Sequence, residues 1–368
     1  MSLSHILYVG SYASTLSSLT LTVPTLPLFD LASLGSAPSW ITQHGTTLYT
    51  ADEFSQPYAY HSSYLIDATD PTTLHFKDEL KVQHELGAVH LVLSSDHAHL
   101  YSANYVSGSV THIPLDGRTG TYLHQGPAPQ SIDFTGAGPV LERQKGPDAH
   151  QVVLEPRGQY LLVCDLGSDQ IRVFDTQADS HLEPLDPIHV PAGSGPRHLV
   201  IVGKGTTQDP TLIYLVNELS NTLIIAHLNY PQHPSKHLTW DVLQTLSFLP
   251  QDQTTKGWLG GEVVVSPDRK YVFVSNRSPK NAPAAKGKDV LSIFTLDPSS
   301  GKVESEEPSL FELQGLHPRH MSLSSKGDML AVALQHSDQV VVYKRQGKGL
   351  SLIGQVEVKK PTCVIWAQ

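Results

Sequence analysis

Six stretches of this 368-residue chain repeat one pattern: a polar or proline-containing entry, a short apolar strand, a turn, a tyrosine-rich strand, a second turn and a third alternating strand. They begin at Pro38 (PSWITQHGTTLYTADEF), Ala88 (AVHLVLSSDHAHLYSANYVSGSVTHIPLD) and Ala149 (AHQVVLEPRGQYLLVCDLGSDQIRVFD). The series continues at Pro196 (PRHLVIV leading to LIYLVNELSNTLIIAHL), Gly261 (GEVVVSPDRKYVFVSNRS leading to VLSIFTLD) and Pro318 (PRHMSLSSKGDMLAVALQHSDQVVVYK). Starts lie roughly 45 to 65 residues apart, the spacing of propellers and solenoids. Period-two alternation in QIRVFD and QVVVYK, with SPDRK and EPRGQ as turns, makes the units strands rather than helices.

The two ends decide between those architectures. C-terminal PTCVIWA has the form of a first strand, and N-terminal HILYVGSYASTLSSLTLTV that of a second and third. Joined, they make a seventh unit. The expected fold is all-β, a seven-bladed β-propeller closed by N- and C-terminal strands sharing one blade, with residues 1–368 as a single domain. Closure leaves no large exposed sheet edge. A β-solenoid, the main rival, has no need of complementary ends.

Composition removes several classes of partner. The net charge of -10 is spread without acidic or basic blocks, so no nucleic acid partner is expected. Cys164 and Cys363 are far apart in apolar runs and read as core residues of a reducing compartment rather than a disulfide or metal knuckle. The N-terminal stretch lacks a basic region and is broken by Gly and Ser, and no run is long enough to span a bilayer. A soluble, cytoplasmic protein without a membrane partner is expected. Three long inserts, after Asp116, Leu228 and Arg277, interrupt the pattern; such loops are functional or mobile, and the Ala/Pro/Lys-rich last one is a candidate flap.

In a propeller the first strand of each blade starts at the channel mouth to which the second strand returns. Aligning the units by their histidines gives an entry column of Trp40, His90, His150, His198, Glu262, His320 and Cys363, preceded by Ser39, Val89, Ala149, Arg197, Gly261, Arg319 and Thr362. The return column reads Tyr12, Glu53, Tyr105, Leu166, Glu218, Arg277 and Gln335. Repetition argues for architecture, so the histidines suit a polar ring at the channel entrance, with substrate contact from His90, His198 and His320 as the sharper alternative. Asn217 and Asn276, just before the return positions, suit turns and are candidate substrate contacts by place.

Charges that break the repeat say more. His150, Arg197, Glu218 and Arg277 fall on three consecutive blades and converge on one side of the mouth, either as a site or as ion pairs tying blades together. Arg319 and Glu53 are expected to pair elsewhere on the rim, which makes the second Pro-Arg-His phrase architecture. No nucleophile elbow, phosphate loop, dinucleotide fingerprint or His-Glu-x-x-His is present. A divalent metal would have to use Glu218, Asn217, Asn276 and Asp165, beside arginines that repel it. No metal and no cofactor are expected.

The phrases GPRHL, IYLVNELSNT, EVVVSPDRKYVFVSNRS and HQVVLEPRGQYLLVCDLGSDQIRVF resemble the seven-bladed lactonase family, which contains 6-phosphogluconolactonases and fungal 3-carboxy-cis,cis-muconate lactonizing enzymes. The resemblance covers nearly the whole chain and is strongest from about 146 to 345. It implies that the muconate branch's site residues fall on His150, Arg197, Glu218 and Arg277, while GPRHL and VNELSN look more like the sugar-lactonase branch.

The expected function is metal-free hydrolysis of a small anionic or sugar lactone, 6-phosphogluconolactone-like, at the channel mouth. Arg197 and Arg277 would serve as anion clamps and oxyanion stabilisers. His150 and Glu218 would share acid/base work, Glu218 with a depressed pKa and His150 as proton donor. The alternatives are a cycloisomerase closing 3-carboxy-cis,cis-muconate, and a non-catalytic scaffold gripping a protein partner.

Overall fold

The computed structural model of the chain describes residues 5–21, 28–32, 37–83, 85–177, 181–231, 237–249, 256–279 and 288–368. Seven four-stranded antiparallel sheets account for nearly all of the regular structure. The first blade is β28(Pro361–Trp366), β1(His5–Ser11), β2(Thr15–Leu21) and β3(Leu28–Ala32). β28 pairs antiparallel with β1, Val364 facing Val9, so the two ends of the chain close the ring as expected.

The next three blades are β4(Pro38–His44) to β7(Leu74–Gln83), β8(Ala88–Leu93) to β11(Gln130–Asp133), and β12(Ala149–Leu154) to β15(Glu183–His189). The last three are β16(Pro196–Val202) to β19(Thr239–Ser247), β20(Leu259–Val265) to β23(Ser309–Glu312), and β24(Pro318–Leu323) to β27(Gly349–Glu357). No helix among the described residues is long and apolar enough to cross a membrane.

Each blade has one strand more than the three read from sequence. The fourth lies outermost, and from β7 onward its side chains are mostly exposed or half-buried, as in LHFKDELKVQ of β7 and TWDVLQTLS of β19. An outer strand with few apolar partners carries little hydrophobic alternation, which hides it in the sequence. Two long inserts therefore hold blade edges, β11 and β19. The Ala/Pro/Lys-rich candidate flap lies, from residue 280 to 287, outside the described residues.

Apolar cores sit between neighbouring sheets. Leu162, Cys164 and Val173 of one blade pack with Leu199, Ile213 and Ile224 of the next, all nearly or fully buried. Phe248, Trp258 and Val216 similarly meet Val263, Val274 and Phe294. Both cysteines are free thiols buried in these layers.

What positions the mouth is a β-bulge repeated at the start of every first strand. Pro196 faces Asn217 and His198 faces Val216, so Arg197 is the unpaired extra residue. In β12, Ala149 faces Asp165 and Gln151 faces Cys164, which makes His150 the bulged residue. Ser39, Val89, Arg319 and Thr362 hold the same place. A bulge re-aims its side chain out of the strand's alternation. His150 is therefore the counterpart of Arg197 and Arg319, and Gln151 that of His198 and His320. The alignment by histidines was one residue out of register on this blade, because either setting keeps apolar residues inside.

Candidate active site

Return-column residues are tied to the loop before the first strand by one further rung of backbone bonding. The Glu218 N–H donates to Gly195 O (2.7 Å), Tyr105 N–H to Gly87 O (2.7 Å) and Glu53 N–H to Ala37 O (3.1 Å). Gly195 has φ +62°, and a Cβ there would stand 2.6 Å from Leu219 Cγ, so the glycine that opens GPRHL lets Glu218 sit against the bulge. Bulged and returning side chains thus share the mouth.

There they line a cavity of about 180 Å³. Val89, His150 and Arg319 come from bulges, Glu53, Tyr105, Glu218 and Arg277 from the return column, and Arg143 from the loop before β12. A larger hollow of about 490 Å³ is lined by the far halves of first strands, including Leu91, Val152, Leu199 and Trp366, with His90 the one ionisable side chain among its described lining residues. The chemistry is gathered in the smaller one.

Glu218 is the hub. It accepts from Arg277 at Oε2 (2.6 Å) and from Arg143 at Oε1 (2.5 Å), and Arg197 Nε lies 3.1 Å from Oε2. Burial alone would raise its carboxyl, but Arg277, Arg143 and Arg197 hold it well below the usual carboxylate range. Arg197 is 1% exposed, donates to Gly261 O (2.6 Å) and does not line the cavity. It backs Glu218 from below, where the sequence reading had it clamp substrate. Arg319 takes the place at the wall, donating to Glu53 Oε2 (3.0 Å), which also accepts from Tyr12 OH (2.5 Å). The Arg319–Glu53 pair, expected elsewhere on the rim, belongs to this same cavity, and the second Pro-Arg-His phrase contributes to it.

Arg143 could not be found from the repeat. Its loop is anchored by the fully buried Gln144, whose Nε2 donates to Leu166 O (2.9 Å) and Asp169 Oδ1 (2.8 Å). Only the length of the insert marked the region. Three guanidiniums, of Arg143, Arg277 and Arg319, line the cavity with two carboxylates, so it is suited to an anion.

His150 is buried and neutral at rest. Burial, and then the positive charges around it led by Arg197, push its pKa far below that of free imidazole. The sequence reading made it a proton donor, whereas the resting ring carries no extra proton. Its Nδ1 lies 3.1 Å from His198 Nε2.

The remaining candidates lie deeper. His90 stacks on Trp40 (centroids 3.9 Å apart), which meets His320 edge-on at 4.8 Å. His198 bonds to Glu262 in the same layer. Asn217 donates to Thr222 Oγ1 (3.0 Å) and Asn276 to Ser292 Oγ (2.8 Å), each within its own hairpin. None of His90, His198, His320, Asn217 or Asn276 lines the cavity. Asp165 is bonded to Arg172 (2.8 Å), and among the described residues no three His, Cys, Asp or Glu side chains converge as metal ligands.

Asp148, half-buried two residues before His150, was not anticipated. Burial and the nearby Asp165 raise its pKa to about 6. Its ionised form is disfavoured in the fold, so its contribution to stability is best below the unfolded-state pKa and falls as pH rises to about 6. Discounted for solvent exposure, Asp148→Asn should raise Tm by about 1–2 °C near pH 7.5 and leave it unchanged near pH 4, as measured by calorimetry.

A family model described as lactonase, 7-bladed beta-propeller, matches residues 6–366. The chain is 29% identical over 370 residues to the "Probable 6-phosphogluconolactonase" of Arthroderma benhamiae, covering 98% of this chain and 89% of that protein. It is 28% identical to the 6-phosphogluconolactonase of Formosa agariphila, over 70% of this chain and 66% of the relative. A solved structure from Bacteroides fragilis superposes with a TM-score of 0.82 at 26% identity, covering 100% of this chain and 99% of that one. The periplasmic gluconolactonase of Pseudomonas aeruginosa superposes with a TM-score of 0.79 at 24% identity over 99% of both chains, a likeness of fold.

Proposed function

The chain belongs to the lactonase family of seven-bladed β-propellers, and from that premise we propose that it hydrolyses a small lactone bearing an anionic arm, such as 6-phosphogluconolactone, with His150 as general base. The relatives named 6-phosphogluconolactonase favour hydrolysis over muconate cyclisation and over a scaffold role. The observation that carries the substrate class is the excess of guanidinium over carboxylate around the cavity.

In this reading Arg143 and Arg319 grip the anionic arm, and Arg277 faces the carbonyl oxygen as it gains charge. Neutral His150 takes a proton from the attacking water and later returns it to the leaving ring oxygen. Both Glu218 oxygens are already held by guanidiniums, Oε1 by Arg143 and Oε2 by Arg277 beside Arg197, so Glu218 fixes the arginines instead. Two buried free thiols favour a reducing, cytoplasmic setting.

Purified protein should accelerate acid release from 6-phosphogluconolactone above the spontaneous rate, and less so from δ-gluconolactone; 3-carboxy-cis,cis-muconate should be left unchanged. Acceleration of neither lactone would remove the proposal. Arg143→Ala should lower kcat/KM for the phosphorylated lactone by about 10- to 100-fold, the worth of a charge-assisted hydrogen bond, and for δ-gluconolactone by much less. Its side chain is 33% exposed, so the melt should stay near wild type. Equal losses on both substrates would place the arm elsewhere.

A further inference from the structure

Beneath the cavity, Glu262 is a carboxylate buried in the channel with no part in the ion pairs of the mouth. An isolated charge in such a place is costly. Its partners explain its retention. Its oxygens lie 2.9 and 3.0 Å from His198 Nδ1, and Oε1 also accepts the Val263 N–H (3.0 Å). On its other side stands His320 Nε2, 3.7 Å away, on a ring whose Nδ1 accepts the Val364 N–H (3.1 Å).

These contacts fix the protons. His320 accepts at Nδ1, so its hydrogen is on Nε2, towards Glu262. An ionised Glu262 can only accept, so His198, within hydrogen-bond distance of both its oxygens, carries its hydrogen on Nδ1. His198 Nε2 is then a lone pair, and the ring nitrogen 3.1 Å from it, His150 Nδ1, must be the donor. That leaves Nε2 of His150, a cavity-lining residue, as the bare nitrogen.

We infer that Glu262 and His198 are positioning residues, a buried carboxylate–imidazole relay that fixes His150 in the tautomer able to accept a proton from water. The inference rests on the hydrolase reading for its chemistry. Water adds its oxygen to the lactone carbonyl carbon while His150 Nε2 takes its proton. The tetrahedral intermediate collapses, the ring C–O bond breaks, and the leaving oxygen recovers the proton from Nε2, giving the open hydroxy acid. The imidazolium formed in between arises among guanidiniums, which oppose it. Glu262, acting through His198, supplies the compensating negative charge.

Two measurements test this. In the substrate-free protein labelled with 15N-histidine, long-range 1H–15N spectra near pH 7.5, assigned with His150→Gln, should show His150 protonated at Nδ1 and bare at Nε2. Glu262→Gln should shift that pattern and lower kcat by about 10- to 100-fold, with KM within about twofold. A proton on His150 Nε2 in the wild type, or wild-type kcat in Glu262→Gln, would overturn the relay; if the variant does not fold, the wild-type spectrum alone decides. The expected spectrum from a protein that opens neither lactone would instead sink the hydrolase reading and leave the relay standing.

Discussion

Glu218→Gln should lower the melting temperature by about 4–6 °C, besides ending turnover. The carboxylate lies between three guanidiniums, of which Arg197 and Arg277 are 1% and 5% exposed. Removing one partner of a buried ion pair costs about 3–5 kcal/mol, because the other charge is left without compensation. The melting entropy of a chain this long, at about 2.1 cal/mol/K per residue, converts that to the stated shift. Adding Arg197→Met should recover part of the melt and none of the activity, since it removes one stranded charge, leaves that of Arg277 and does not restore the hub. A Glu218→Gln protein that melts with the wild type would mean that the guanidiniums are solvated and the cluster is loose.

His150→Gln should do the opposite, lowering kcat/KM by about 10²- to 10⁴-fold, the usual contribution of a positioned general base, while the melt changes little. Gln is of similar reach and keeps an N–H for His198 Nε2, so the buried acceptor is not orphaned. What it lacks is a nitrogen that can take a proton. The two variants therefore separate chemistry from architecture at one mouth: Glu218 serves both, His150 mainly the first. Full activity in His150→Gln would assign water activation to another group.

The ring and its closure were legible because the inner three strands of each blade bury apolar side chains and so carry the alternation that sequence exposes. PTCVIW and HILYVGS found each other by pattern alone. The outer strands were not, since their neighbours are mostly solvent. The mouth was legible as a pair of columns: five of the eight cavity residues stand in them, and Val89 and Arg319 in the positions just before the entry column. One error came from register. His150 was matched to His198 by residue type, whereas pairing through the bulge matches it to Arg197. The bulge separates neighbours on one strand into two environments: Arg197 reaches the ion pairs of the mouth, and His198 the channel layer with Glu262. Arg143 was illegible because a loop residue obeys no period, and its place is set by the buried Gln144 amide.

The pairing of β28 with β1 also sets an order of events during synthesis. About 350 residues separate Ser11 from Pro361, so at ribosomal speeds of about 5–20 residues per second the β1–β2 hairpin waits roughly 20–70 s for its inner neighbour. Through that interval β1 offers an unpaired edge, and the nascent chain is an open arc with an unsealed gap. Quality control that engages such a chain would find its longest-lived target at β1, and release would coincide with the arrival of β28.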